Sequence, residues 1–381
     1  MKKLRISAAV MALCLVSGVC LSGCKSSEYA ATSETSLSGA SQSDSGLTLP
    51  MDTGSGTGDS AATASDGTYM KMTFENNYDA AAIAEMNKTV KIHGMQFTTL
   101  DYNYYFAQEY VQLYTNGYGS IQMTAAGFLD MNSNLTETKT VKDYLGEQVI
   151  FDLQGEAFLL EYAQKNNLEL DDEILQKIED TFKETEETAA QYGMTLDEYL
   201  QAWYGPDATV DGMRSVLQRY ELVTLAMKHY VEVYPFAEGE TLLPVVYHVL
   251  FPTISLETGE KLSDEECAAA KQRAEDLQKS VTGLEDLQTK ADAAVAAGEA
   301  GEARQYRVNL GQMVKPFEEW CFAEHNVGDC DIVETDYGYH VMYFVGKEEA
   351  DESERSQIAY KQFQDEMDEA VVSPDYAPEY S

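Results

Sequence analysis

Apolar and aromatic residues recur every three or four positions through much of the first half of the chain, the spacing of one helical face. Most of these repeats follow a residue such as Thr or Asp, whose side chain can cap free backbone N–H groups. The predicted helices begin near Asp101, Thr140, Leu170, Thr195 and Val210, and the last one reaches Tyr234. The pattern therefore predicts an all-helical region over residues 101–234.

Two short runs before these helices alternate like strands, Tyr69–Phe74 and Thr89–Ile92, and the second is followed by a turn at His93-Gly94. The next segment is unusually rich in tyrosine. Tyrosine-rich helical faces are usually core with one wet edge, because the ring is apolar and the hydroxyl is polar. A surface that binds unfolded chains remains the alternative interpretation of this face.

The second half of the chain has a mixed pattern. The apolar run Val245–Phe251 is typical of a buried strand, and a helix with a capping box at Ser263 and an alanine-rich helix from Leu284 follow it. Pro316 suits the first turn of another short helix, and two strand-like runs come after it. A final helix is predicted over residues 353–371, and residues 373–381 are expected to fray.

The N-terminus has the pattern of a secretory signal. Lys2, Lys3 and Arg5 precede an apolar run, Ile6–Val19, that is shorter than the ~20 residues of a membrane span. The sequence Leu21–Cys24 (LSGC) resembles a bacterial lipobox, which implies lipidation of Cys24 and anchoring to the outer face of the cell membrane. A plain signal peptide is the alternative. Residues 24–68 are rich in Ser, Thr and Gly and predict a flexible tether.

Composition narrows the possible functions. A formal net charge of −39 argues against nucleic acid as a partner, because phosphates are bound by Lys and Arg. Common hydrolase, metalloprotease and phosphate-binding motifs are absent, and no metal or cofactor is predicted. Beyond the signal and Cys24, the cysteines are Cys267, Cys321 and Cys330, whose spacing fits no zinc pattern. We expect all three to be packing residues, with a Cys321–Cys330 disulfide left open.

Several residues near the end of the chain carry a family resemblance. Met313, Phe317 and Gly338–His340, together with His248 in the first apolar strand, make residues 244–347 similar to parvulin-type peptidyl-prolyl isomerases. The resemblance implies a small α/β domain with a four-stranded sheet. His248 and His340 would lie on adjacent central strands and share a hydrogen-bond network as the candidate catalytic residues. A satisfied core histidine is the ordinary alternative for each of them.

The same resemblance implies a substrate-binding pocket for proline. Its walls would include Met313 and Phe317, with Leu310 and Tyr337 beside them, although ordinary core packing is an alternative for the first two. The family also has a loop that supplies a polarising Cys or Asp, whereas residues 298–308 (GEAGEARQYRV) contain neither. Tyr337 stands where the family often has a small or hydroxylated residue. An active isomerase and a protein that only binds its clients both stay open.

The first half of the chain resembles the N-terminal chaperone region of SurA- and PrsA-like foldases. The similarity lies in the order of a short strand, an aromatic helix and the segment Gly193–Tyr199 (GMTLDEY). The implied organisation is a signal (1–23), a tether (24–68), a helical lobe (69–238), an isomerase domain (244–348), and a C-terminal helix and tail (349–381) that packs on the lobe.

We therefore expect an α+β protein that acts as an extracytoplasmic, lipid-anchored foldase. Its partners would be unfolded or newly secreted polypeptides that contain proline, and the membrane would be reached through lipidated Cys24. A homodimer is left open. The alternatives are a catalytically inactive holdase and, ranked lower, a solute-binding lipoprotein, which would alternate strands and helices throughout.

Overall fold

The computed structural model describes residues 72–115 and 121–380, so the signal, Cys24 and the tether lie outside it. The described residues form two compact units. We call residues 72–115, 121–230 and 365–380 the helical unit, and residues 231–364 the sheet unit. Helices in one unit and a four-stranded sheet in the other confirm the predicted fold class.

The helical unit is built mainly from long, capped helices. Thr140 and Thr195 each form a capping box at the start of a helix, as their positions in the sequence predict. No strand is assigned among the described residues of 101–234, which argues against the solute-binding alternative. Its elements are α1 (Phe74–Asn77), α2 (Ala80–Glu85), β1 (Val90–Ile92), β2 (Met95–Phe97), α3 (Thr99–Thr115), α4 (Val141–Lys165), α5 (Asp172–Gln191), α6 (Leu196–Tyr204) and α7 (Val210–Val233).

The tyrosine-rich face of α3 belongs to the core of the helical unit. Four of its tyrosines are buried, and only Tyr114, near the end of the helix, is largely exposed. The rings pack on one another and on neighbouring helices, as Tyr104 does at 5.8 Å from Tyr204 between ring centroids. These aromatic residues therefore hold the unit together, and the core interpretation of this face applies. The buried four are Tyr102, Tyr104, Tyr105 and Tyr110.

The strand predicted at Tyr69–Phe74 is wrong at its described end. Phe74 begins α1, because the carbonyl oxygen of Thr73 accepts hydrogen bonds from the N–H groups of Asn76 and Asn77. The Phe74 ring then packs edge-on against Tyr78 at 5.4 Å. Local backbone bonding and aromatic packing thus override the strand-like alternation.

The expectation that residues 373–381 fray is also wrong for the described part of the tail. After a short 3-10 helix (Pro374–Tyr376), strand β7 (Glu379–Tyr380) pairs with β1, giving the sheet order β2-β1-β7. The Tyr376 ring stacks on His93 at 4.4 Å, and its hydroxyl donates to Glu161. These contacts hold the tail in place, and local sequence cannot predict them because they join residues that are far apart along the chain.

The sheet unit has the antiparallel strand order β4-β3-β6-β5. The fourth strand, β4, comes from the segment 298–308 that departs from the family loop. The elements are β3 (Leu242–Pro252), α8 (Asp264–Ser280), α9 (Leu284–Ala296), β4 (Glu302–Arg307), α10 (Lys315–Phe322), β5 (Cys330–Thr335), β6 (Gly338–Glu349) and the first part of α11 (Glu352–Val371).

The two faces of this sheet are covered by different helices. Alternate residues of β3 and β6 pack against α8 and α9 on one face, and the other residues pack against α10. Gly338 joins the turn to β6 with φ +141°, where a Cβ atom would collide with the carbonyl oxygen of Phe251. This close approach sets the start of β6 against the end of β3.

No helix among the described residues is both long and apolar enough to cross a membrane.

Candidate active site

His248 and His340 meet on the face of the sheet that α10 covers. His248 on β3 lies opposite Met342, and Leu250 lies opposite His340 on β6, so the two histidines are diagonal neighbours on one face. Their Nδ1 atoms are 3.2 Å apart, and the residues are only 3% and 6% exposed. The structure thus brings the two predicted catalytic residues within hydrogen-bonding distance of each other.

A hydroxyl group extends this pair into a chain of hydrogen bonds. The Oγ1 atom of Thr335 lies 2.9 Å from Nε2 of His340 and accepts a hydrogen bond from the N–H of Tyr337. If the Thr335 hydroxyl donates to Nε2 of His340, the Nδ1–H of His340 donates to Nδ1 of His248, and His248 then carries its proton on Nε2. If every bond in the chain runs the other way, Nε2 of His248 carries no proton. In both arrangements Nε2 of His248 is buried without a hydrogen-bond partner.

Burial keeps both imidazoles neutral. Loss of solvent lowers the pKa of His340 to about 4. The pKa of His248 falls to about 3, chiefly through burial and further through the nearby His340 and Arg304. At neutral pH each ring nitrogen therefore acts as one hydrogen-bond donor or acceptor, and neither imidazole carries a positive charge.

Phe317 on α10 forms an apolar wall over the two histidines. Its ring meets the rings of His248 and His340 edge to face, at 5.2 and 5.3 Å between centroids. Pro316 lies in the first turn of α10, as its missing N–H group favours, and this start places Phe317 toward the sheet. Met313, in the loop before α10, packs half-buried against the same apolar cluster.

Leu310 and Tyr337 lie in the two loops that flank the pair. Leu310 is on the loop before α10, with 37% of its surface exposed. Tyr337 is half-buried in the β5–β6 turn, where its N–H holds the Thr335 hydroxyl and its carbonyl oxygen accepts from the N–H of Thr253. The substrate-binding roles of both residues stay predictions.

Sequence reasoning missed four residues at this site. Thr335 extends the histidine chain, and alternate residues of β4 lie on the face that carries His248. The register of β4 with β3 identifies those residues as Glu302, Arg304 and Tyr306. Their spacing of two was a weak signal, because a polar strand at a sheet edge lacks the apolar alternation that predicts strands.

The described part of the chain contains no group of three or more His, Cys, Asp or Glu side chains arranged to hold a metal ion. Cys267, Cys321 and Cys330 are free thiols there. Burial raises the pKa of Cys321 to about 12, so this thiol stays protonated as a packing residue.

Three solved structures illustrate what the chain is similar to. A PrsA peptidylprolyl isomerase of Bacillus cereus is 13% identical, with 68% of this chain and 95% of that chain covered and a TM-score of 0.28. The foldase protein PrsA of Streptococcus pneumoniae is 13% identical, covering 64% and 96%, with a TM-score of 0.24. A structure of SurA-like chaperones from Campylobacter jejuni is 10% identical, covering 77% and 98%, with a TM-score of 0.19.

These superpositions are too loose to carry an argument about function. A comparison with curated proteins found no match. The model of the PPIC-type PPIase domain, in contrast, matches residues 245–348, the segment that contains both histidines, Met313 and Phe317. Residues 245–348 of this chain therefore belong to the PPIC-type peptidyl-prolyl isomerase family.

Proposed function

We propose that this protein is a lipid-anchored, extracytoplasmic foldase that isomerises X–Pro bonds in secreted polypeptides. The observation that carries the proposal is the neutral, hydrogen-bonded pair of His248 and His340 beneath the ring of Phe317. The family match over residues 245–348 supports the reaction type. The anchor and the location rest on the signal pattern and on Leu21–Cys24, which lie outside the described residues.

The proposed reaction needs only binding and hydrogen bonding. Amide resonance opposes rotation about the X–Pro bond with a barrier of ~18–20 kcal/mol. Phe317 and Met313 offer apolar contacts for the pyrrolidine ring, and water exclusion there favours an amide that is less polar than its planar form. A contact that strengthens as the amide twists lowers the barrier, whereas equal binding of all forms does not.

His248 is the residue that can supply such a contact. Its Nε2 atom is buried without a partner, and an unpaired buried polar group costs ~1–3 kcal/mol. In one direction of the hydrogen-bond chain this nitrogen carries a proton. It can then donate to a twisted amide, whose nitrogen lone pair is released from resonance. Reversing the chain through His340 and Thr335 turns the same atom into an acceptor.

A binding-only holdase is the second candidate. Residues 298–308 contain no Cys or Asp, so the polarising residue expected from the family is missing there. Nε2 of His248 has no hydrogen-bond partner, which agrees with the missing polarising residue, because a polar side chain next to this nitrogen would form a hydrogen bond with it. An inactive site would still offer the apolar contacts of Phe317 and Met313 to a proline-containing segment.

A cis–trans isomerisation assay with proline tetrapeptides tests the first candidate. We expect the wild type to exceed the solvent rate and the Phe317→Ala and His248→Ala variants to lose most of that excess. Leu287→Ala is a matched control, because Leu287 is equally buried but packs on the opposite face of the sheet. A wild-type rate equal to solvent would contradict the isomerase, and suppression of client aggregation would then support the holdase.

The anchor has its own test. The wild type expressed in a bacterium with lipoprotein processing should incorporate a radiolabelled fatty acid and sediment with the membrane fraction. Cys24→Ser should lose the label and move to the soluble fraction, since the acyl chains supply the membrane affinity. An unlabelled wild type would show a plain signal peptide and leave the isomerase proposal untouched.

A further inference from the structure

Strand β4 places a tyrosine against His248 on the same face of the sheet that α10 covers. Tyr306 pairs with Val246 and Arg304 pairs with His248, so both side chains share the face that holds the histidines. The Tyr306 ring lies 5.2 Å from the His248 ring between centroids, with 31° between the planes. This tilted ring belongs to an edge strand, and it contacts the histidine whose Nε2 has no partner.

Two charged residues of the same strand fix the Tyr306 ring. Its hydroxyl donates to Oε1 of Glu302 at 3.0 Å. The guanidinium carbon of Arg304 lies 4.3 Å from the centre of the ring, and its Nε donates to the same carboxylate at 2.6 Å. The Arg304 side chain is 49% exposed, whereas His248 is 3% exposed. The order from solvent inward is therefore Arg304, Tyr306 and His248.

From this layering we propose that Tyr306 is a displaceable cover over His248, clamped by Glu302 and Arg304, and that a client's proline segment takes its place. The inference deepens the proposed function, on which it rests, by adding a positioning residue for the same site. Opening would require only a side-chain rotation on an edge strand, with the backbone pairs of β3 and β4 kept. The cover excludes water from the imidazoles until a client supplies apolar surface in exchange.

The opposite face of the sheet carries a similar trio that serves as a control. The Tyr339 hydroxyl donates to Glu334 at 3.3 Å, and the Lys271 ammonium lies 5.8 Å from the centre of the Tyr339 ring. Tyr339 packs against the cluster under α8 and α9, away from His248 and His340. Tyr339→Ala therefore removes an equivalent clamped tyrosine without uncovering the histidines.

Chemical access to His248 tests the cover without requiring turnover. Diethyl pyrocarbonate acylates neutral imidazole nitrogens, and peptide mass spectrometry reports the rate at each histidine. We expect slow acylation of His248 in the wild type and in Tyr339→Ala. In Tyr306→Ala it should be about tenfold faster, since an aromatic pair and an exposed cation–π contact together correspond to roughly a five- to seventyfold change in population.

Two milder variants keep the test valid if Tyr306→Ala folds poorly. Tyr306→Phe retains the ring and loses the hydrogen bond to Glu302, and Glu302→Gln weakens both contacts of the clamp. Each should raise the acylation rate of His248 by roughly two- to fivefold, the effect of a single hydrogen bond. An unchanged rate at His248 in all three variants would overturn the cover.

Kinetics with proline tetrapeptides separate a cover from a pocket wall. If Tyr306 must move aside, Tyr306→Ala lowers KM about tenfold while kcat changes little. If Tyr306 instead contacts the bound proline, the same change raises KM, which would overturn the proposal. If the wild type and every variant show only the solvent rate, the proposed isomerase has failed, and peptide affinity is measured by calorimetry in place of KM. Tighter peptide binding by Tyr306→Ala than by the wild type would then still support the cover.

Discussion

Burial shifts the pKa values of ionisable side chains in opposite directions in the two units. The sheet unit holds two histidines that burial keeps neutral, with pKa values lowered to about 3 and about 4. The helical unit buries several carboxyl groups beside one half-buried arginine between α3, α4 and α7. The buried carboxyl groups belong to Asp101, Glu109, Asp152 and Glu156.

Charge compensation in the helical unit is incomplete. Arg219 pairs with Asp101 and, at 2.8 Å, with Glu156, whose other oxygen accepts from the Tyr105 hydroxyl at 2.9 Å. Burial still raises the pKa of Glu156 against the opposing effect of Arg219. The pKa of Asp152, one turn earlier on α4, is raised well above its usual range by burial and by the nearby Glu109 and Glu156.

This difference distinguishes the proposed functional site in the sheet unit from a structural cluster in the helical unit. Neutral imidazoles can act as either donors or acceptors, which is the property that the proposed mechanism requires of the histidine chain. The carboxyl cluster is held by ion pairs with Arg219 and by the Tyr105 hydroxyl, and these residues come from α3, α4 and α7. Strongly shifted pKa values mark both places, but only the histidines lie beside an apolar wall that could hold a proline ring.

The largest expected effect is loss of the cation that pairs with two buried carboxylates. Arg219→Met leaves Asp101 and Glu156 without their partner and should destabilise the helical unit by about 3 kcal/mol, the usual cost of an uncompensated buried charge. Urea unfolding followed by the fluorescence of Trp203 in a Trp320→Phe background measures this unit. Arg214 is equally exposed but pairs with the exposed carboxylates of Glu179 and Asp211, so Arg214→Met should cost under about 1 kcal/mol. Equal losses in both variants would contradict this prediction.

The units should also respond to pH with opposite slopes. A buried neutral histidine binds no proton between about pH 4 and 6.5 while the unfolded chain does, so stability of the sheet unit falls as pH falls through this window. Asp152 and Glu156 keep protons in the folded state that the unfolded chain releases, so stability of the helical unit falls as pH rises above about 4.5.

Each such group contributes up to about 1.4 kcal/mol per pH unit. Chains that keep only Trp203 or only Trp320 report the two units separately, because the protein contains just these two tryptophans. Urea midpoints measured from pH 4.5 to 6.5 should diverge in sign. Parallel slopes would contradict the contrast between the buried histidines and the buried carboxyl groups.

A smaller change would sharpen the same contrast. Asp152→Asn removes one carboxyl group from the cluster and should raise the stability of the helical unit at pH 7 by about 1–2 kcal/mol, while flattening its pH slope. Glu147→Gln on the exposed side of α4 should change stability by less than about 0.5 kcal/mol. A loss of stability in Asp152→Asn would show that the ionised carboxylate is needed.

The smallest expected effect is at the far end of the histidine chain. Thr335→Val leaves Nε2 of His340 without its hydroxyl partner and should destabilise the sheet unit by about 1 kcal/mol. In the tetrapeptide assay it should lower kcat more than it raises KM, because the chain acts on the twisted amide. Thr335→Ser should restore both values, and a variant with unchanged kcat would remove Thr335 from the mechanism.

Much of the helical unit could be predicted from local sequence. The capping boxes at Thr140 and Thr195 and the apolar spacing after them depend on residues within a few positions, so they determine the helices directly. The turn at His93-Gly94 also depends on local chemistry, since both residues adopt positive φ angles. The same logic failed at Phe74, where short-range alternation was weaker evidence than the packing against Tyr78.

The sequence alone also placed His248, His340 and Phe317 on elements of the right type. It could not place β4, because a polar edge strand has no apolar face that local pattern would reveal. Only the register of β4 with β3 brings Tyr306 against His248 and sets Arg304 outside it. The tail at β7 is decided in the same way, because strand pairing between residues almost 300 positions apart is a property of the folded chain.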